Sequence, residues 1–129
     1  MNHRPYQMEQ RQNISMHVYL KSMMNESQVE FKKFDGSDET VIYLQQAGEK
    51  LFNALGMYIQ ITYDMMSGSH YATMNMIKEK PLSDLFQRAN SLHNFFYEGE
   101  AGDYRRDFIK SEYSSIYENL KGRLTSSHE

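Results

Sequence analysis

The feature that most restricts the fold is a long apolar repeat in residues 41–62. Val41, Leu44, Gly48, Leu51, Leu55, Tyr58 and Thr62 step alternately by 3 and 4. At 3.6 residues per turn this is one stripe on one helix face. Ala47, Ala54 and Ile61 lie beside the stripe at intervals of seven. The small residues Ala47, Gly48 and Ala54 let a second helix come close. Gly48 and Gly56 each cost about 1 kcal/mol against alanine inside a helix. Packing offsets that cost, or Gly56 marks a bend. The predicted helix covers about 39–66, and no segment of useful length alternates with the period of a strand.

The rest of the chain follows the same rule. Residues 1–7, with Pro5, read as frayed. A long helix over 8–34 has Met16, Leu20 and Met23 as its best stripe, continued less regularly by Phe31 and Phe34. Asp35-Gly36-Ser37-Asp38 supplies a stop and a start: Gly36 for a left-handed residue, Ser37 or Asp38 as the next cap. After Ser67-Gly68-Ser69 comes a short segment, 70–79, with Met74 and Ile77 inward. Lys80-Pro81 breaks it. Pro81 suits the first turn of the next helix, over 81–98, and Gly99 suits its exit. Leu82, Leu85, Ala89, Leu92 and Phe96 form its stripe. Gly99-Glu100-Ala101-Gly102 is a turn, and Asp103 caps a last helix over 103–122. Phe108 or Ile109, with Tyr113, Ile116 and Leu120, face inward there, and the tail 125–129 is expected to be disordered. The predicted fold is all-α: an antiparallel up-and-down bundle of four main helices, five with the short insert. Residues 1–129 form a single domain with an ordered core over about 8–122.

Composition excludes several classes of function. Forty per cent apolar and 24% charged residues describe a globular chain, and the mean hydropathy of −0.74 fits helices with one wet face. No run approaches the ~18 apolar residues that cross a bilayer, and no membrane partner is expected. The stretch MNHRPYQMEQRQN lacks the apolar centre of a signal peptide. Absence of cysteine removes disulfides, thiolate metal sites and thiol nucleophiles, so the expected compartment is the cytoplasm. The net charge of −3 argues against a general nucleic-acid binder. Ten Met, ten Tyr and seven Phe are core material. They exceed what one small bundle is expected to bury, which points to a homodimer.

Few residues invite chemistry. Carboxylate di-metal bundles use Glu-x-x-His pairs. No Glu stands three residues before His3, His17, His70, His93 or His128. No metal and no cofactor are expected. There is no nucleophile elbow, phosphate loop or dinucleotide fingerprint. Ser69 beside His70 reads best as a helix cap. Arg88 and His93 remain. Five helical residues turn the chain through roughly 500°, so the two side chains stand about 140° apart, on opposite flanks of the stripe. Two copies meeting on a two-fold axis could line a cleft with both pairs. Imidazole moves protons near neutral pH, and guanidinium holds phosphate. Taken singly, His93 can pack on Tyr97 and Arg88 can pair with Asp84, each four residues away.

The chain resembles the HEPN (higher eukaryotes and prokaryotes nucleotide-binding) superfamily over about residues 18–122. The resemblance rests on the order of features: a long helix ending KKFDGSD, the helix YLQQAGEKLFNALGMYIQ, Ser69-His70, and ANSLHNFFYEG before a tyrosine-rich last helix. ANSLHNFFYEG is similar to the Ala-x-x-Leu-His-x-x-Phe-Tyr pattern of archaeal members. The resemblance implies a four- or five-helix bundle, commonly a homodimer. Active members are metal-independent endoribonucleases of toxin–antitoxin and defence systems with Arg-x4-6-His, a spacing that Arg88 and His93 match. Those members usually carry Asn, Asp or His directly after the arginine, where Ala89 stands here. Arg88 and His93 are thus the catalytic candidates, and Asn90, Tyr97 and His70 the substrate-binding candidates. The expected function is binding of RNA or of a nucleotide phosphate, with ribonuclease activity as its sharper form. The alternative is a non-catalytic subunit partnering a separately encoded nucleotidyltransferase, as in other members.

Overall fold

The long repeat becomes the central helix. In a computed structural model, which describes residues 3–63, 70–98 and 103–126 (side chains for 17–63, 72–93 and 106–125), it forms α2, Val41–Thr62. The other helices are α1 (His3–Lys33), α3 (His70–Met76), α4 (Ser83–Glu98) and α5 (Asp103–Ser126), with one 3₁₀ turn, Asp38–Thr40. Helix α2 packs against α1, α4 and α5. Its buried arc is accordingly wider than one stripe, since Phe52 and Ile59 join Leu44, Leu51, Leu55 and Tyr58. Thr62, at the end of the repeat, is exposed. An added Cβ at Gly56 meets nothing within 4 Å, so no close helix approach requires glycine there.

The all-α bundle is as expected, and contacts give the helix directions. Lys33 lies over the Tyr43 ring and Ser27 bonds to Ala47, so α1 and α2 run antiparallel. Glu49 meets His93 and Tyr63 meets Leu82, so α4 opposes α2. Arg106 reaches Gly36, while Tyr113 meets Ser27 further from that end, so α5 opposes α1. The order is up, down, up, down. Among the described residues no helix is long and apolar enough to cross a membrane.

Several helix boundaries and the line of the α1 stripe differ from expectation. Helix α2 covers Val41–Thr62 rather than about 39–66, the 3₁₀ turn taking its start, and α3 ends at Met76 rather than near 79. Helix α1 begins at His3 rather than near residue 8. Pro5 falls in its first turn, where a missing N–H costs no helical bond. Its buried stripe is Leu20, Met24, Ser27 and Phe34, with Phe31 half-buried between them. Met24 is the more deeply buried of the pair because the stripe passes through a serine, and Met23, the expected stripe residue, is half-buried against the core beside it. The Ser27 hydroxyl donates to the Ala47 carbonyl at 2.7 Å. Tyr113 therefore supplies the hydrogen of the 2.6 Å bond between the two hydroxyls. Burial pushes the Tyr113 phenol well above its ordinary range and keeps it a donor. Phe31 stacks on its ring at 4.1 Å. In α5, Ile109 is buried and Phe108 is exposed. Leu124 is also buried, which carries α5 to Ser126, beyond the expected end at 122. Helix α4 starts at Ser83 rather than Pro81, with the Leu82 N–H donating to the Tyr63 hydroxyl at 3.3 Å. Ile77 is fully buried just past α3, and Met74 is half-buried against the core. The expected turns at 67–69 and 99–102 lie outside the described residues, as do the Phe96 side chain and the end of the tail.

The α1–α2 connection is held by side chains. Gly36 takes the left-handed conformation, with φ +95°. Neither Ser37 nor Asp38 caps with its side chain. Asp38 instead accepts from Arg106 Nη2 at 2.7 Å. Asp35 organises the turn, accepting from the Ser37 N–H at 2.9 Å and the Thr40 hydroxyl at 2.8 Å. Hydrogen bonds from the Ser37 hydroxyl, its backbone N–H and Thr40 hold the Asp35 carboxyl down to about 2. A carboxyl lowered on folding stabilises fully above its unfolded value, and that stabilisation is lost as pH falls through the folded one. Urea melts of Asp35→Asn and wild type are therefore expected to differ at pH 6, with the gap closing between about pH 4 and pH 2. An unchanged gap at pH 2 would show that the carboxylate is not what holds the turn.

Candidate functional site

Helix α4 buries Leu85, Phe86, Ala89 and Leu92, and Leu82 just before it is buried with them. That stripe turns Arg88 and His93 to its two flanks, where each meets a different neighbouring helix. On the α5 side, Arg88 donates through Nε to Glu112 Oε2 at 3.1 Å, and Nη2 bonds the same oxygen and, at 3.0 Å, the Ser115 hydroxyl. Its partner is thus Glu112, not the expected Asp84. The Arg88 side chain remains 42% exposed. An exchange of Glu112 for a phosphate is chemically simple there, because carboxylate and phosphate oxygens accept from the same guanidinium fork.

On the α2 side, the His93 ring is only 16% exposed. It lies on Phe52 at 4.6 Å, nearly parallel, and Phe52 also stacks on Phe86, so one α2 ring meets two α4 rings seven residues apart. Nδ1 stands 2.6 Å from Glu49 Oε1. A carboxylate is an acceptor, so Nδ1 carries the hydrogen of this bond. This is the arrangement by which a carboxylate fixes the tautomer and orientation of a catalytic imidazole. The Tyr97 side chain, the other candidate partner of His93, lies outside the described residues.

Within one chain Arg88 and His93 do not converge, in keeping with their angular separation on the helix. Asn90 does not join them: it is half-buried, with its amide nitrogen 3.7 Å from Met74 Sδ on α3. The side chain of His70 lies outside the described residues. Ala89 is buried in the core stripe, which explains why no polar residue follows Arg88: a side chain there faces the bundle interior and would need a buried partner. Among the described residues no three His, Asp or Glu side chains gather to hold a metal ion.

Sequence spacing does not point to two of the participants, Glu49 and Glu112. Each is separated from its partner by many residues and sits on an otherwise ordinary polar flank. The one signal for Glu49 is its place beside the α2 stripe, about one turn before Phe52, but only the packing of α2 on α4 turns it toward an imidazole.

No protein-family model, no curated protein and no solved structure matches the chain.

Proposed function

We propose that the protein is a HEPN-like cytoplasmic homodimer that binds RNA through its phosphates and cleaves it without a metal. The observation that carries this reading is the Glu49–His93 pair: an imidazole of fixed tautomer on the helix that also bears an exposed arginine. In the reaction, Nε2 of His93 takes the proton of a ribose 2′-hydroxyl as that oxygen attacks the adjacent phosphorus. Arg88 leaves Glu112 for the phosphate and balances the charge that builds on its oxygens. The 5′-oxygen of the next nucleotide departs with the proton that the His93 imidazolium returns to it, which leaves a 2′,3′-cyclic phosphate and restores the neutral imidazole. Because the two side chains of one chain face different neighbours, the working cleft takes Arg88 from one copy and His93 from the other, with the α4 helices adjacent across the two-fold axis.

A second reading, a non-catalytic subunit of a nucleotidyltransferase, is favoured by one fact: Glu112 and Ser115 already hold the Arg88 guanidinium. Incubation of the pure protein with a mixed single-stranded RNA pool separates the two. Cleavage that survives EDTA and leaves 2′,3′-cyclic ends is the expected result. Retention of RNA on a filter without cleavage reduces the reading to a phosphate-binding module. Absence of both overturns it in favour of the partner subunit.

A further inference from the structure

Helices α1 and α5 meet through Ser27, Phe31 and Tyr113, and beyond Tyr113 they leave a groove of about 360 Å³. Its floor is apolar, made by the buried side chains of Met24 and Leu124. On the α1 wall stand Lys21 and Asn25, one turn apart, and on the α5 wall Lys121 and Thr125, also one turn apart. The half-buried Tyr117 closes the inner end, its ring stacked on Tyr113 at 6.0 Å. Among the described residues no carboxylate lines the groove. Among the described residues neither lysine has an ion pair. In a chain of net charge −3, two uncompensated ammonium groups on opposite walls above one apolar floor reverse the prevailing sign locally. The site described above uses none of these residues.

We propose that this groove binds a small anionic amphipath. Its acidic head, a carboxylate or a phosphate, lies between Lys21 and Lys121, and its hydrocarbon body covers Met24 and Leu124. The volume is at the lower end of the roughly 300–1,000 Å³ of small-molecule sites, which suits a body of about ten carbons rather than a long lipid chain. The apolar stems of the lysines extend the floor while their heads remain wet. Asn25 and Thr125 offer the head hydrogen bonds that a bare hydrophobic patch lacks.

Titration calorimetry of the full chain, with each probe kept below its micelle concentration, tests this. Decanoate and decyl phosphate represent the two sources of head group, and decanol is the neutral control. Both anions are expected to bind at one site per chain, at least about tenfold more tightly than decanol, with the tighter of the two naming the head. The double variant Lys21→Met/Lys121→Met keeps the stems and is expected to bring both anions to the level of decanol. Raised salt is expected to weaken the anions in the wild type and leave decanol unchanged, a readout that needs no variant. No binding, decanol as tight as the anions, anion binding indifferent to salt, or unchanged anion binding in a folded double variant overturns the proposal.

Discussion

Leu51→Ala is expected to lower the unfolding free energy by about 2–5 kcal/mol, the range for emptying a leucine-sized space in a core that cannot fully collapse. Leu51 is 2% exposed and lies at the middle of α2, the helix that contacts α1, α4 and α5 together. A cavity there is bordered on every side by helices fixed by other contacts, so relaxation is small. Domains of this size are stable by only about 5–15 kcal/mol, so the change is a large share of the whole. Leu92→Ala, in the stripe that positions Arg88 and His93, belongs to the same range. Phe108→Ala is the control. The ring is 63% exposed on α5, and its loss is expected to change stability by no more than about 0.5 kcal/mol. Urea denaturation of the three variants checks the set. A loss under about 1 kcal/mol for Leu51→Ala, or a loss at Phe108 equal to it, would show that α2 is not the centre of the bundle.

The contrast between Leu51 and Phe108 also marks what a sequence can express. Apolar spacing in α2 and α4 is an intrahelical property, so Leu44, Leu51, Leu55, Leu85 and Leu92 are legible as core from their spacing alone. The choice between Phe108 and Ile109 is not, because both fit the α5 pattern within one position and only packing on the other helices selects Ile109. The α1 pattern points to Met23 instead of Met24 because the true line runs through Ser27. That residue reads as exposed until the Ala47 carbonyl and Tyr113 hydroxyl are brought to it. The site divides in the same way. The spacing of Arg88 and His93 singles them out, and their divergence follows from helix geometry alone. Glu49 and Glu112 have no such signal, since each acts on a partner in another helix. Local periodicity carries no information about which polar flanks face each other. Arg106, which joins α5 to the α1–α2 connection through Gly36 and Asp38, is hidden for the same reason.

The other large effect is on activity. His93→Ala is expected to lower RNA cleavage by about 10²–10⁴-fold, the usual worth of a positioned general base. Arg88→Ala removes charge stabilisation at the phosphate and is expected to lower it by about 10²–10³-fold. Neither change should unfold the chain. Arg88 and Glu112 form a surface pair, whose loss costs no more than about 1 kcal/mol. His93 gives up one stacked ring contact with Phe52, about 0.5–1.5 kcal/mol beyond its buried area. Far-UV circular dichroism of both variants is therefore expected to match the wild type. Glu49→Gln retains an oxygen that can accept from Nδ1 but loses its charge. It is expected to lower cleavage less than His93→Ala while leaving RNA retention unchanged, as befits a positioning residue.

The most direct test of a cleft shared between two copies is to refold the Arg88→Ala and His93→Ala variants together and measure cleavage by the mixture. If each cleft draws its arginine from one copy and its histidine from the other, a mixed dimer holds one intact cleft of its two. Random pairing makes half the dimers mixed, so recovery of about a quarter of wild-type activity is expected from two variants that are inactive alone. A mixture as inactive as its components would contradict the shared cleft.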